Sequence, residues 1–279
     1  MERASAQERN ARPDGKVVIV IGASSGMGAL IATRLAGLGH SVFGASRSAP
    51  ETPGYSNLKL DVTSDASVAA ALDTVRKTAG RIDAIVHCAG ISIAGSLEDT
   101  TVEEAKSLFD TNYFGAVRVT RAALPVMRAQ GYGQIMLVGS IGGLIGLPFI
   151  GHYSASKFAL DGFMQALRTE IRPFGVDATV IHPGDYKTAI AANQINAACA
   201  NESSPYAQVC KRTVDLYTAN VDAAPEPKAV ADLIVRLLAK KHLAPNYIVG
   251  SPIEKAGVGL KSWLPASSFE FVMRKIYGH

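Results

Sequence analysis

The sequence predicts a doubly wound α/β fold, in which one parallel sheet of about seven strands carries helices on both faces within a single domain. Three observations support this prediction. Short apolar runs rich in Val and Ile alternate along the chain with stretches of helical periodicity. The first run leads directly into a glycine-rich turn. The chain has 279 residues, 48% hydrophobic and 19% charged, so it can bury one sizeable core.

The first unit predicts a phosphate-binding turn. Residues 16–21 form a β-branched apolar run that is typical of a buried parallel strand. The turn 22–28 follows, and residues 29–38 then have a helical spacing of apolar side chains. This order brings backbone N–H groups and a helix N-terminus to a phosphate, although an ordinary strand-to-helix turn has the same pattern. The predicted cofactor contacts in this turn are Gly22, Ser24, Ser25, Gly26, Met27 and Gly28.

The remaining elements continue the alternation. Further strands are predicted at residues 41–45, 57–60, 84–88, 134–138, 176–181 and 247–249. Helices are predicted at residues 66–79, 102–109, 113–130, 153–172 and 229–241. Ligands of such a sheet bind beyond the carboxyl ends of its strands. Gly22, Gly90, Ser140 and Pro183 each follow a strand directly, so we expect one site along one sheet edge.

The chain is predicted to divide into three parts. Residues 1–14 are polar, lack the apolar segment of a signal peptide and predict a disordered tail of a cytoplasmic protein. Residues 15–250 form the dinucleotide-binding and catalytic domain, within which residues 185–225 are expected to cover the substrate. Residues 251–279 form a C-terminal amphipathic extension. Its apolar stripe has i, i+3, i+4, i+7, i+8 spacing and consists of Phe269, Val272, Met273, Ile276 and Tyr277.

Three uses of that extension are open: packing on the protein or on a second subunit, closure of the substrate cleft, and attachment to a membrane surface. Arg274 and Lys275 suit anionic lipid, but two charges are few. The net charge of +4 is scattered and does not suggest nucleic acid. The three cysteines, Cys88, Cys199 and Cys210, have no metal-ligand or redox spacing, so we predict no metal site.

Tyr153 and Lys157 are the most informative pair for chemistry. Residues at i and i+4 share one face of a helix. A nearby ammonium favours the phenolate, so Lys157 is expected to lower the pKa of Tyr153. The pair would then act as a general acid/base on a carbonyl or alcohol oxygen. The same spacing also arises by chance on many helices, so the rest of the chain must decide.

The Gly-x-x-x-Gly-x-Gly turn and the later Tyr-x-x-x-Lys together resemble the short-chain dehydrogenase/reductase family, in particular its hydroxysteroid and retinol dehydrogenase-like members. The resemblance extends from Lys16 to Thr188 and more loosely to Gly250, and it implies a Rossmann-like fold and a homo-oligomer. Two residues depart from the family pattern, Ile21 and His87. Further matches follow in the family's order: Asp61-Val62, Cys88-Ala89-Gly90, Asn112, Ser140, Pro183-Gly184 and Thr188.

The resemblance implies a catalytic role for four residues. Tyr153 would donate a proton to the carbonyl oxygen, while Lys157 would lower the tyrosine pKa and bind the nicotinamide ribose. Ser140 would orient the substrate oxygen, although a serine at a strand end is often only a turn residue. Asn112 would hold a water that links Lys157 to solvent, or it would merely cap a helix. The buried position of His87 favours a structural role over a catalytic one.

Cofactor choice is predicted at the end of the second strand. An acid there would select NAD, but this chain has Ser46 followed by Arg47. A guanidinium suits the 2′-phosphate of NADP(H), unless Arg47 is simply a solvated loop residue. Asp61 and Val62 resemble the family's adenine-contacting pair, and a loop or helix-cap role for Asp61 is the alternative. Further cofactor contacts implied by the resemblance are Ala89, Gly90, Tyr153, Lys157, Pro183, Gly184 and Thr188.

The substrate is predicted to be apolar. The residues that approach the site are hydrophobic, which suits a hydrophobic ketone, aldehyde or secondary alcohol. His152 beside Tyr153 either lines the substrate mouth or lies at the surface. Two other functions stay open: a cofactor-binding sensor without turnover, and a dehydratase or epimerase on the same scaffold. The apolar approach residues are Ile141, Leu144, Ile145, Leu147, Phe149 and Ile150.

Overall fold

The computed structural model describes residues 15–188 and 194–277. The predicted tail at residues 1–14 lies outside the described residues. Within the described part of the chain, no helix is both long and apolar enough to pass through a bilayer.

The seven-stranded parallel sheet confirms the predicted fold. Its order is β3-β2-β1-β4-β6-β7-β9, with β1 and β4 paired at the centre, where the winding direction changes. All its pairings are parallel, as crossover helices on both faces require. The strands are β1 (Val17–Ile21), β2 (Ser41–Ser46), β3 (Ser56–Lys59), β4 (Ala84–His87), β6 (Gly133–Val138), β7 (Val176–Pro183) and β9 (Asn246–Val249).

Two short strands form a separate sheet that the sequence analysis missed. β5 (Ile93–Ala94) pairs in parallel with β8 (Ile195–Asn196). Two-residue strands are too short for the alternation of side chains to be detected. This small sheet ties the segment after β7 to the segment after β4, close to the carboxyl edge of the main sheet.

The helices lie close to their predicted positions, with two additions. Ala207–Ala223 and Pro252–Trp263 are helices that the sequence analysis did not identify. Local capping fixes several helix starts, including a reciprocal capping box between Thr101 and Glu104. The helices are α1 (Gly26–Gly37), α2 (Asp65–Ala79), α3 (Val102–Phe109), α4 (Gly115–Gln130), α5 (Gly151–Ile171), α6 (Ala207–Ala223), α7 (Lys228–Leu238), α8 (Pro252–Trp263) and α9 (Ala266–Tyr277).

The core has one layer on each face of the sheet. On one face the sheet packs against α2, α4 and α5, and on the other against α1 and α7. The five residues of β1 are all buried, as its continuous apolar run predicts. A third, smaller cluster lies beyond the carboxyl edge and contains Tyr153 together with Ile93, Leu108 and Ile150. The carboxyl ends of the strands therefore lie next to a partly apolar region around Tyr153.

Candidate active site

Ser140 and Tyr153 meet directly at the carboxyl edge of the sheet. Ser140 follows β6 and caps the short 3-10 turn Ile141–Gly143, where its Oγ accepts a hydrogen bond from the N–H of Gly142 at 3.0 Å. Because that bond occupies an acceptor position, the hydroxyl proton is left to donate. A Cβ atom at Gly142 would lie 3.4 Å from Ser140 Oγ and 3.4 Å from Tyr153 Cε1, so both side chains border this glycine. The pair can therefore hold one substrate oxygen between two O–H groups.

Lys157 lies beside this pair on the same face of α5. Its Nζ is 5.7 Å from the centre of the Tyr153 ring and donates a hydrogen bond to the backbone oxygen of Val138 at 3.0 Å. The side chain is only 4% exposed. Burial lowers the pKa of Lys157 to about 8. An ammonium with such a pKa can lose its proton close to neutral pH.

The ionisation of Tyr153 differs from the sequence prediction. Burial raises the pKa of Tyr153, the negative charge of Asp185 raises it further, and the hydrogen bond with Ser140 opposes both effects. Burial of the phenol is the largest influence on this pKa, and it acts in the opposite direction to the lowering that the sequence predicts. Tyr153 is accordingly a neutral phenol at pH 7, which is the form that can donate a proton.

Asn112 lies in a π-helical turn, Asp110–Phe114, that joins α3 to α4. Its amide forms a two-way clamp on Ile91: Oδ1 accepts from the Ile91 N–H at 2.8 Å, and Nδ2 donates to the Ile91 oxygen at 2.9 Å. Nδ2 also donates to Ser156 Oγ at 3.0 Å. Single π turns inside helices occur often at functional sites. This turn gives Asn112 a structural anchor that the sequence does not reveal.

The side chains of Asn112 and Lys157 both lie next to Gly90. A Cβ atom at Gly90 would lie 3.3 Å from Asn112 Oδ1 and 3.5 Å from Lys157 Nζ, so both polar atoms border this glycine. Asn112 Oδ1 has a second lone pair besides the one used by Ile91. A water at this position could bridge the two side chains, as the family resemblance implies.

The glycine-rich turn after β1 fits a dinucleotide phosphate. Gly22 has φ of +86°, and a Cβ there would lie 2.8 Å from the backbone nitrogen of Ala89. A Cβ at Gly28 would lie 2.2 Å from the oxygen of Gly22. Ser25 is the N-cap of α1 but makes no side-chain capping bond, so the first N–H groups of α1 have no side-chain cap. The turn thus offers a close-fitting backbone surface with free donors.

The predicted ribose and adenine contacts also meet at one place. Arg47 is exposed just after β2, and its charge helps to lower the pKa of Asp61 after β3. The larger cause is Thr63, whose N–H and hydroxyl both donate to Asp61 Oδ1, at 2.9 and 2.8 Å. One oxygen of Asp61 is therefore engaged in a local turn, which is the loop role left open by the sequence. Val62 is buried against Gly115.

The other strand-end residues border the same edge. Ala89 and Gly90 follow β4, and Pro183 ends β7. The N–H of Gly184 donates to Val249 at 2.8 Å. Thr188 is half-buried and is the last described residue before the gap at 189–193.

The two histidines of interest have different environments. His87 is buried at the end of β4, and burial lowers its pKa to about 3, with Lys157 adding to the effect. It is neutral across the physiological range, which agrees with a structural role. His152 lines a cavity together with Leu97, Phe109 and Phe114. A role at the substrate mouth stays a prediction.

A polar pair that the sequence motifs do not indicate lies behind Ser140. His182 is fully buried in β7, and its Nδ1 donates to the backbone oxygen of Ser140 at 2.9 Å. Its Nε2 lies 3.2 Å from Asp161 Oδ1 on α5. Asp161 is one turn beyond Lys157, and His182 directly precedes Pro183-Gly184. The only indication of this pair in the sequence is that each residue lies close to a motif residue of the site.

Asp185 was also missed. It follows Gly184, its side chain is exposed, and its charge raises the pKa of Tyr153, Tyr217 and Tyr277. Its backbone N–H donates to Glu254 Oε1 of α8 at 2.5 Å. Asp185 is therefore a negative group at the mouth of an otherwise apolar region.

Apolar side chains surround the rest of the approach. Leu147 and Ile150 pack in the same cluster as Tyr153. Leu147 and Pro148 also border a cavity of about 510 Å³, shared with Phe158 of α5 and with Met273 of α9. Tyr217 of α6 donates to the oxygen of Pro148 at 3.2 Å, and its ring lies 5.3 Å from that of Tyr277. The cleft is thus bounded by the loop after β6, by α6 and by the C-terminal helices.

Comparison with protein families gives one match over more than half of the chain. The model described as short chain dehydrogenase matches residues 16–198. Those residues include the glycine-rich turn, Asn112, Ser140, Tyr153 and Lys157.

Known proteins agree with this match. A 3-ketodihydrosphingosine reductase from Bacteroides thetaiotaomicron is 34% identical over 263 residues, which cover 94% of this chain and 98% of that protein. The 17-beta-hydroxysteroid dehydrogenase type 1 of Homo sapiens is 39% identical over 190 residues, covering 62% of this chain and 57% of that protein.

A solved structure agrees as well. A short chain dehydrogenase/reductase from Burkholderia phymatum, in complex with NAD, has a TM-score of 0.76 at 25% identity and covers 90% of this chain and 94% of that one. The expected resemblance to hydroxysteroid dehydrogenase-like proteins is confirmed.

Proposed function

Because this chain belongs to the short-chain dehydrogenase family of oxidoreductases, we propose that it uses NADP(H) to interconvert a hydrophobic ketone or aldehyde with its alcohol. The observation that carries the proposal is that Ser140 and Tyr153 both border Gly142, with Lys157 beside Tyr153. Two hydroxyl groups and an ammonium at one strand-end site can polarise and protonate a carbonyl oxygen.

Tyr153 acts as the general acid in reduction. Its raised pKa keeps the phenol protonated, and the substrate oxygen binds between it and Ser140. When bound, the nicotinamide supplies the hydride that the carbonyl carbon gains in reduction and takes it back in oxidation. Tyr153 gives its proton to the oxygen as negative charge develops there.

Lys157 restores the proton to Tyr153. Its pKa of about 8 suits an exchange with solvent near neutral pH. Asn112, beside Gly90, is placed to hold a water in that exchange. Lys157 would also bind the nicotinamide ribose, while the glycine-rich turn would hold the pyrophosphate.

The preference for NADP(H) rests on Arg47. Ser46, at the end of β2, is buried and its Oγ accepts from the N–H of Ala49 at 3.0 Å, whereas Arg47 is exposed with its charge close to Asp61. An exposed guanidinium at this place can form charge-assisted bonds with a 2′-phosphate. Asp61 Oδ2 and the backbone at Val62 would contact the adenine.

The substrate class follows from the apolar approach. Leu147, Ile150 and the cavity beside Pro148 favour a long or bulky apolar chain on the carbonyl compound. The name of the Bacteroides relative indicates reduction of a 3-keto lipid, which supports the same class for this chain. We place the reaction in the cytoplasm and expect the protein to act as a homo-oligomer.

Turnover of NADPH with a panel of long-chain, steroid-like and short ketones tests this function. We expect activity with the apolar ketones, and none from Tyr153→Phe, which still binds NADPH because only the transferable proton is lost. Near-normal turnover by Tyr153→Phe would show that the assigned acid is wrong. Loss of water or inversion of a centre without net oxidation of NADPH would indicate a dehydratase or epimerase instead.

Cofactor preference is tested separately by fluorescence titration with NADPH and NADH. Loss of one charge-assisted contact is worth roughly 1.5–3 kcal/mol, so Arg47→Ala should weaken NADPH binding about tenfold or more. Binding of NADH should hardly change, and Lys59→Ala, at the exposed end of β3, is the matched control. Equal affinity of the unmodified protein for both cofactors would refute this part of the proposal.

A further inference from the structure

The C-terminal helices α8 and α9 expose large apolar side chains. Neither helix has a buried residue. On α8 the side chains of Ile253 and Trp263 are 84% and 87% exposed, and Leu260 is 39% exposed. On α9, Phe271 and Ile276 are 53% and 57% exposed. Five large apolar side chains are thus exposed on two consecutive helices within 24 residues, a density that is uncommon on a surface that meets only water, and we call this set the apolar patch.

The face of α8 toward the protein body is partly polar, since it carries Glu254 and Lys261 besides half-buried Val258. Its polar residues Glu254 and Lys261, seven apart, point to the protein body. Glu254 accepts from the N–H of Asp185, and Lys261 donates to the oxygen of Leu144 at 2.5 Å. The Lys261 Nζ also lies 4.7 Å from the centre of the Phe158 ring. The apolar stripe of Ile253, Leu260 and Trp263 is left on a different, outward face.

The α9 helix divides its apolar residues between two sides. The predicted stripe is largely half-buried, and Tyr277 packs on Tyr217, so packing against the protein body accounts for that side. Phe271 lies outward, with the Nζ of Lys275 5.6 Å from the centre of its ring. Arg274 and Lys275 are both exposed.

The charge around the patch is positive. Between residues 252 and 277 there are four basic and two acidic side chains, a net charge of +2. The opposite charges of Glu254 and Lys261, both directed toward the protein body, cancel each other. Among the other charged side chains, three are basic and one is acidic, so their net charge is positive: Lys255, Arg274, Lys275 and Glu270.

We propose that α8 and α9 dock this protein on an anionic lipid surface. Helices that lie in a membrane interface combine Trp, Phe and Leu with nearby Lys and Arg, and they bind more strongly to anionic lipid. Trp is also the side chain most suited to the level of the lipid headgroups. A second copy of the chain is the less favourable occupant, because two basic patches facing each other would repel.

The position of the patch relates docking to the cleft. Lys261 contacts the loop after Ser140 at Leu144, and Met273 of α9 borders the cavity beside Pro148. A bilayer held by α8 and α9 would therefore lie beside the approach to Tyr153. An apolar substrate dissolved in lipid could enter the cleft with little exposure to water.

Flotation with phosphatidylcholine vesicles, with and without phosphatidylglycerol, tests the proposal on the full chain. We expect binding to the mixed vesicles and weaker binding to pure phosphatidylcholine. The double variant Ile253→Ser/Trp263→Ser should lose binding by at least about tenfold. The variant Arg274→Gln/Lys275→Gln should lose the preference for phosphatidylglycerol. Leu38→Ser/Phe174→Ser, which removes exposed apolar residues elsewhere, should bind like the unmodified protein.

Two further measurements separate docking from its alternatives. Tyr153→Phe should bind vesicles normally, so failure of the proposed chemistry would leave this result unchanged. Light scattering reports the oligomeric state of each variant. If the unmodified protein does not float with either vesicle, or if Ile253→Ser/Trp263→Ser dissociates an oligomer and leaves flotation unchanged, the lipid assignment is wrong.

Discussion

Lys157 illustrates the cost of a buried ammonium. Its pKa falls from 10.5 to about 8 through burial, so the folded state binds this proton more weakly than the unfolded state does. Stability is therefore reduced below pH 8, and the loss is relieved as pH rises from about 8 to 10.5. The shift means that the charged Lys157 lowers the free energy of unfolding by about 3 kcal/mol. An apolar variant would avoid this cost but would lose the hydrogen bond to Val138, which contributes about 1 kcal/mol.

We expect Lys157→Met to unfold at higher urea concentration than the unmodified protein at pH 7, with a gain of about 2 kcal/mol. The difference between the two proteins should shrink as pH rises toward 10.5, because the folded state has by then lost the ammonium and the unfolded state is beginning to lose it. Oxidoreductase activity should disappear. If the variant is less stable at pH 7, or if the difference does not depend on pH, burial is not the dominant influence on this side chain.

Asp185 permits a test of the Tyr153 environment. Burial raises the pKa of Tyr153 most, and the charge of Asp185 adds to it. Asp185→Asn keeps the shape but removes the charge, so the pKa of Tyr153 should fall. Alcohol oxidation needs the phenolate, and its rise with pH should move to lower pH in the variant. Glu202→Gln, an exposed acid in the same segment, should leave the pH profile in place. An unmoved profile in Asp185→Asn would contradict the charge coupling.

At the scale of elements, α6 contributes one hydrogen bond to the cleft. Tyr217 donates to the oxygen of Pro148, in the loop that follows Ser140. Burial and the neighbouring Tyr277 raise the pKa of Tyr217, so it remains a neutral donor. Tyr217→Phe removes this bond but keeps the ring contact with Tyr277.

For Tyr217→Phe we expect KM for bulky ketones to rise about two- to tenfold, as one hydrogen bond permits, with little change for a short ketone. Tyr206→Phe is the matched control, because the Tyr206 hydroxyl lies near the start of α6 and donates to exposed Glu98 at 2.7 Å. Equal effects on short and bulky substrates would mean that α6 does not shape the cleft.

The elements show which features a sequence can predict. The strands β1, β4 and β6 are continuous apolar runs, and they lie within one residue of their predicted bounds. The helix α8 escaped prediction because Glu254 and Lys261 contact the protein body. Its large apolar residues Ile253, Leu260 and Trp263 are exposed instead, so their spacing does not mark a buried face. The pairing of β5 with β8 depends on residues far apart in sequence.

In the site as well, some features could be predicted from the sequence and others could not. The positions of Ser140, Tyr153 and Lys157 follow from motifs at strand and helix ends, which the parallel topology brings to one edge. The raised pKa of Tyr153 was not predictable, since its largest cause, burial of the phenol, depends on how distant parts of the chain pack. His182 behind Ser140 was equally hidden, because its partners lie on two other elements.

For the whole molecule, stability should be very uneven. The five residues of β1 are buried between β2 and β4, whereas α8 and α9 have no buried residue. Hydrogen exchange followed by mass spectrometry should show β1 among the slowest amides and both C-terminal helices among the fastest. Added anionic vesicles should slow exchange in α8 and α9 and leave β1 unchanged. Protection of α8 equal to that of β1 without lipid would contradict this arrangement.

The π-helical turn at Asp110–Phe114 has a consequence for how the site could be lost or gained. Such a turn holds one residue more than the α-helical ladder needs. Deleting Thr111 would let α3 and α4 merge into one regular helix, and Asn112 would shift by about 100° around the axis relative to the residues of α3 before it. The shortened chain would keep its sheet but release Ile91 from the Asn112 clamp. Deletion of one codon could thus exchange the candidate site for a straighter helix, and the reverse insertion could introduce such a turn into a regular helix.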